Sequence, residues 1–252
     1  MGLALSAAIV TVAVVRLGRG QQVSQPWKEF SVRRVERSTT LINGLSHERT
    51  VLEAQRADGS RVLADVADGG RATAFSTRVI TLVPSRRTIF VDDRLAATTT
   101  HFDLSQRAYR PTTDPQCGFT RLTQKAKPRV KGEEDVLGFR TVVIQTESGP
   151  FLTTDWKAPD LGCATLRMTE ERRDGPRGDA TARFELSAVS VTVGSPDPAL
   201  FEVPASYTEG SPSQLANASA ARMGRAVPER ALKRLAERDQ RYFENHRQAG
   251  VP

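Results

Sequence analysis

The chain has 252 residues, of which 38% are hydrophobic and 26% charged, a length and apolar share that fit one large or two small folded domains and exclude wholesale disorder. Two Cys and three His exclude a disulfide-dense miniature scaffold and a four-cysteine zinc module, so no metal and no cofactor is expected. The formal charge of +7 comes from 36 Lys and Arg against 29 Asp and Glu; only six of the cations are Lys, and the 30 Arg are scattered from Arg16 to Arg247. A GC-rich coding bias would also produce that scatter without a polyanion to bind, and no nucleic-acid partner is expected.

Leu3 to Val15 is a 13-residue uncharged run ended by Arg16, short of the roughly 20 residues a helical membrane span needs. Its length suits the apolar core of a secretory signal, with Gly18 and Gly20 before a cut at Gln21. An uncleaved signal anchor and a buried first helix are the alternatives. Residues 1–20 are therefore read as signal peptide or signal anchor. The protein is expected in the periplasm or cell envelope, with membrane contact through this segment if it is not cleaved. In an exported chain the even Cys count most simply pairs Cys117 with Cys163, two buried free thiols being the alternative.

From Trp27 to about Val193 the pattern is strand after strand. Arg49 to Arg56 and Arg61 to Val66 flank Ala57-Asp58-Gly59-Ser60, and Asp-Gly between alternating segments is a strong hairpin signal. Phe30 to Arg37, Phe75 to Val83, Thr88 to Val91, Phe119 to Lys125, Val136 to Thr146, Phe151 to Trp156, Ala164 to Glu170 and Ala182 to Val193 complete the set, each rich in β-branched or aromatic residues and bounded by Gly, Pro or Asp. Ten or so strands with short links imply one antiparallel sheet that curls, closes or is covered. The β domain is expected over 27–207, with Leu200 to Pro204 as a short apolar insertion.

The small-residue, polar stretch 208–227 reads as a linker. A basic amphipathic helix is expected over 228–248: Pro228 suits its first turn, Glu229 its dipole, and Ala231, Leu232, Leu235, Ala236, Tyr242 and Phe243 fall on one side. From Arg222 to Arg247 eight cations face four acids, the densest local charge. Arg230, Lys233, Arg234, Arg238 and Arg241 are its partner-binding candidates. The competing account is a solvated helix whose cations surround it and pair with acids four residues away, as Glu229 with Lys233 and Glu237 with Arg241.

Catalytic templates fail. No Gly-x-Ser-x-Gly elbow, His-Glu-x-x-His, phosphate loop or dinucleotide fingerprint is present, and no catalytic residue is assigned. His47 and His101 stand near expected turns, and a hydrolase would require one of them beside a carboxylate in a cleft. The acidic groups Asp92-Asp93, Glu133-Glu134-Asp135 and Glu170-Glu171 match no complete calcium loop, because consecutive strand carboxylates point to opposite faces; they read as solvated turn and edge residues.

Val136-Leu-Gly-Phe-Arg-Thr-Val-Val-Ile144 followed by Thr153-Thr-Asp-Trp-Lys-Ala-Pro-Asp-Leu-Gly162 resembles the paired strands of a bacterial envelope family of unknown function, and Leu200-Phe-Glu-Val-Pro-Ala-Ser-Tyr207 resembles its closing segment. That family is similar in turn to the lipoprotein carriers (LolA-like). The resemblance covers roughly Trp27 to Tyr207 and implies a mainly β fold, a curved antiparallel half-barrel, here with a C-terminal α-helix, that holds acyl chains in an apolar concavity. Val142, Ile144, Phe151, Trp156, Leu166 and Phe184 are the candidate lining residues, a packed core being the alternative. The function expected is a non-catalytic envelope protein that binds a hydrophobic small molecule, lipid or lipoprotein. The second hypothesis is a membrane-anchored interaction module that docks a protein through its sheet edge or basic helix.

Overall fold

The computed structural model describes residues 27–66, 75–102, 117, 128–174, 178–222, 224 and 226–248. The expected signal segment and the expected strand 119–125 lie outside them. The fold is mainly β, one open, curved sheet with helices at its C-terminal end. The strands are β1 (Phe30–Thr40), β2 (Leu45–Gln55), β3 (Arg61–Val66), β4 (Phe75–Leu82), β5 (Arg87–Asp92), β6 (Ala97–Phe102), β7 (Arg129–Val136), β8 (Phe139–Ser148), β9 (Phe151–Ala158), β10 (Ala164–Arg173), β11 (Ala180–Val193) and β12 (Thr208–Glu209). Their spatial order is β12-β6-β5-β4-β3-β2-β1-β11-β10-β9-β8-β7. Every neighbouring pair is antiparallel except β12 on β6, which is parallel.

The order follows from the links. Consecutive strands pair, so β1 to β6 form one meander and β7 to β11 another. The closure of β1 on β11, from Phe30 opposite Val193 to Thr40 opposite Ala182, welds the two. The expected hairpin at Asp58-Gly59 joins β2 and β3: Gly59 has φ +84° and the Asp58 carboxylate accepts the Ser60 N–H at 2.8 Å. A Cβ at Gly59 would collide with the indole ring of Trp27, so both the backbone and the packing require glycine there.

Three sequence expectations change. The single strand expected over Val136 to Thr146 is split between β7 and β8 by Leu137-Gly138, whose φ values of 53° and 79° make a tight reversal. Strands β6 and β7 were not foreseen: β6 is Ala-Thr-Thr-Thr-His-Phe, and β7, Arg-Val-Lys-Gly-Glu-Glu-Asp-Val, is almost wholly exposed, so neither alternates apolar with polar. Glu133 to Asp135 thus sit on a strand; Glu133 accepts from Arg140 at 2.6 Å and Glu134 from the Trp156 indole at 2.8 Å. The third change is the expected linker 208–227, which contains β12 and a helix, α1 (Pro212–Arg222). Proline opens α1, the Gln214 side chain accepts the Ser211 N–H at 2.7 Å, and the alanines that resembled linker composition are strong helix formers. The second helix, α2 (Glu229–Gln248), matches the expected one.

Two buried clusters stabilise the sheet. One gathers Phe30, Val32, Ala158, Leu161, Ala164 and Leu166 where β1 meets β9 and β10. The other covers one face of β2 to β5: Ala54, Val62, Ala64, Ile80 and Val91 pack under Phe201, with Leu200, Val203 and Tyr207 around it. Leu200 to Tyr207, expected as an apolar insertion, is therefore a clamp across that face. Cys117 and Cys163 are disulfide-bonded, with Cα atoms 5.5 Å apart. Among the described residues no helix is long and apolar enough to cross a membrane.

Candidate functional site

The helices occupy the face opposite the clamp. Antiparallel register places Leu63 against Val79, Val79 against Phe90 and Phe90 against Thr99, so Leu63, Val79 and Phe90 form an apolar row across three strands that continues to Thr99 on β6. The parallel row beside it is Thr81, Thr88 and His101. Above these rows lie α1 and α2, which pack on each other and on β6. Leu215, Ala216 and Ser219 of α1 and Leu235 and Tyr242 of α2 look down on Val79, Phe90 and Thr99 across a cavity of about 740 Å³. Phe90 remains 44% exposed inside it.

The helix pair is tied down at its ends by polar bonds, which leaves the middle open. Asp239 of α2 accepts the N–H of Ser213 at 2.9 Å and also pairs with its hydroxyl, fixing the start of α1. Arg222 donates to the carbonyl of Arg94 at 2.9 Å and Asn245 to that of Phe102 at 3.3 Å. His246 is buried, with Nε2 3.2 Å from Glu209 on β12 and Nδ1 2.8 Å from the carbonyl of Tyr242; its ring meets Phe102 edge to face at 4.9 Å. Burial, reinforced by Glu209, holds the Tyr242 hydroxyl above its ordinary pKa, so this phenol is a neutral polar group on the cavity wall at physiological pH.

Charge sits at the cavity margin. Arg94, Arg238 and Arg241 line it. Arg94 is held by Asp92 at 3.3 Å. Asp93, the other member of that acidic pair, points to the opposite face and holds Arg78 at 2.7 Å. Each carboxylate thus has its own arginine, and the pair is neither a solvated turn nor a calcium loop. On the opposite face a depression of about 690 Å³ lies between β4 and the clamp, and the Arg78 guanidinium in it is taken up by Asp93 and by the carbonyls of Leu200 and Glu202.

None of the six lining residues expected from sequence borders the helix-roofed cavity. Val142 and Ile144 alternate on one face of β8, opposite Lys157 and Asp155, whereas Trp156 pairs with Val143 and lies on the other face. Expecting all six on one surface is thus corrected by a parity argument that only the register supplies. Val142, Ile144, Trp156 and Leu166 are buried, as core side chains are. Phe151 and Phe184 border one shallow depression with Ser38, Thr40 and Arg172.

The expected single apolar concavity is also interrupted. Between the two halves of the face, Arg49 donates to Glu36 at 2.7 Å and to Asp65 at 3.0 Å, Thr77 donates to Asp65 at 2.8 Å, and Arg34 pairs with Glu53. Of the basic helix candidates, Arg238 and Arg241 reach the cavity while Arg230, Lys233 and Arg234 are exposed beside it. His47 and His101 are exposed on β2 and β6, and among the described residues neither bonds a carboxylate. Among the same residues no three His, Cys, Asp or Glu side chains converge as metal ligands.

No protein-family model matches the chain, and neither does a curated protein. Solved structures similar to it include a chain of the Pseudomonas aeruginosa MucA/MucB complex, 18% identical, over 73% of this chain and 58% of that one, with a TM-score of 0.42. This chain therefore spans somewhat over half of that relative's length. A LolA superfamily protein from Nitrosomonas europaea is 10% identical over 71% and 92% of the two chains, TM-score 0.32. The Mycobacterium tuberculosis lipoprotein LppX is 12% identical over 66% and 87%, TM-score 0.30.

Proposed function

We propose that this is a non-catalytic protein of the cell envelope that holds a hydrophobic ligand between its helix pair and the β4 to β6 face of its sheet. The observation that carries the reading is Phe90: a large apolar side chain at 44% exposure beneath a helical cover, in register with Leu63 and Val79. A partly exposed apolar row beneath a helical cover is a surface that an apolar guest would bury. The cavity of about 740 Å³ falls within the range of small-molecule sites, roughly 300–1,000 Å³. The Cys117 to Cys163 bond fits an oxidising compartment.

Thermal unfolding with a series of single-chain acyl ligands tests the reading. A ligand at a hundred times its Kd raises stability by about 2.7 kcal/mol, and Phe90→Asp abolishes that gain by placing a carboxylate in the apolar row. Protein isolated from its native source is expected to carry an extractable lipid. Lipid-free native protein whose melting temperature no acyl ligand moves overturns the proposal.

A further inference from the structure

The basic helix does not behave as a solvated, internally paired helix. Among the described residues, none of Arg230, Lys233, Arg234, Arg238 and Arg241 forms an ion pair, including the expected partners Glu229 for Lys233 and Glu237 for Arg241. Two of the four acids of α2 are engaged otherwise: Asp239 caps α1 and Glu244 accepts from Gln240 at 3.1 Å, while Arg241 bonds only the backbone carbonyl of Glu237, at 3.3 Å. The arginines of the row do not surround the helix, although Lys233 and Arg247 lie roughly 60° and 100° outside their arc. At 3.6 residues per turn the spacing of Arg230, Arg234, Arg238 and Arg241 confines them to an arc of about 80°, next to the side on which Leu235 and Tyr242 face the cavity.

Like charges at this spacing destabilise an isolated helix, so the row is a local cost that a bound anion would relieve. Two of its members open onto the cavity, and Arg94 stands on the sheet side of the same cavity, oriented by Asp92. An apolar row within, and at the margin the guanidinium groups of Arg238 and Arg241 without ion pairs, match one chemical type. We infer that the ligand of this cavity is an anionic single-chain amphiphile: its chain lies on Val79 and Phe90 beneath Leu215 and Leu235, and its phosphate or carboxylate headgroup is bound by Arg238 and Arg241 with Arg94 opposite. The inference rests on the cavity reading above and adds the charge and position of the headgroup.

Binding of monomeric 1-palmitoyl-lysophosphatidylglycerol to the full chain, below its micelle concentration, is compared by calorimetry with binding of the zwitterionic choline analogue of the same chain length and of inorganic phosphate. The anionic lipid is expected to bind about tenfold or more tightly than the choline lipid, with the preference falling as salt rises. Arg238→Gln combined with Arg241→Gln removes the preference while binding of the choline lipid persists. Equal binding of both lipids, with no effect of the substitutions, overturns the headgroup assignment and leaves the cavity reading standing. Binding of neither lipid overturns both. Phosphate binding as tightly as the anionic lipid, or substitutions that weaken only association with phosphatidylglycerol vesicles, would replace the amphiphile with a free-anion site or a membrane-docking helix and so overturn it.

Discussion

Arg78 and Asp93 form a two-pronged ion pair at 2.9 and 2.7 Å that carries the closing segment of the β domain on its back. The third guanidinium nitrogen donates to the carbonyls of Glu202 at 2.8 Å and Leu200 at 3.2 Å, and Tyr207 donates its hydroxyl to Asp93 at 3.0 Å. Arg78 is only 5% exposed. The pair ties β4 and the turn after β5 to the clamp that seals the second cluster. Arg78→Met leaves Asp93 and two carbonyls without their donor and is expected to cost about 3–5 kcal/mol in urea unfolding. Tyr207→Phe, which removes one hydrogen bond, costs about 1 kcal/mol. Equal, small losses for both variants would show that the clamp is held by Phe201 packing alone.

The disulfide joins residues 46 apart in sequence, a loop whose closure restrains the unfolded chain by about 4 kcal/mol on the chain-entropy model. Replacing Cys117 and Cys163 together with serine should lower the melting temperature by many degrees, and reductant should do the same to the native protein. An unchanged transition would show that the bond is dispensable to the fold.

Asp155 lies between Ile144 and Met168 in the sheet register, and its carboxyl is held above the ordinary aspartate range, chiefly by desolvation, with Glu170 adding to it and Lys157 opposing it. A raised folded-state value means that the folded protein binds this proton more tightly than the unfolded chain does, so the charged form costs stability above that value and the cost disappears as pH falls below both. Asp155→Asn is therefore expected to stabilise the protein at pH 7 and to lose its advantage toward pH 3. A destabilised variant at pH 7 would mean that Lys157 outweighs desolvation.

Gly59 and Gly149 both have positive φ, 84° and 56°, but only Gly59 has a neighbour, the Trp27 ring, where a Cβ would stand. Alanine at Gly149 is expected to cost about 1 kcal/mol from backbone strain. At Gly59 the cost should be clearly larger, with a changed tryptophan emission as Trp27 is displaced. Equal costs would show that the indole gives way freely.

Much of the β architecture was legible because the period-two pattern of β1 to β5 and β8 to β11 and the Asp58-Gly59 turn are local. Strand β7 escaped because an edge strand needs no apolar face, and β6 because its threonines carry no alternation. Helix α1 escaped because Ala and Ser at 216–221 suit a linker and a helix alike until something packs against them. The arginines of α2 were visible as charge, but their lack of ion pairs was not.

Composition and local pattern determined that this chain forms a strand-rich domain with a basic helix at its end, since turn chemistry and hydrophobic period act within a few residues. The tertiary structure decided which faces matter. Register sends Trp156 to the side opposite Val142 and Ile144, an ionic band from Arg34 to Asp65 divides the face expected to be uniformly apolar, and the cavity forms where Val79, Phe90 and Thr99, from three strands, meet helices more than a hundred residues later in the chain. A one-residue change of register inverts every side chain of a strand, so the location of a site on a sheet is set by long-range pairing that local sequence does not encode.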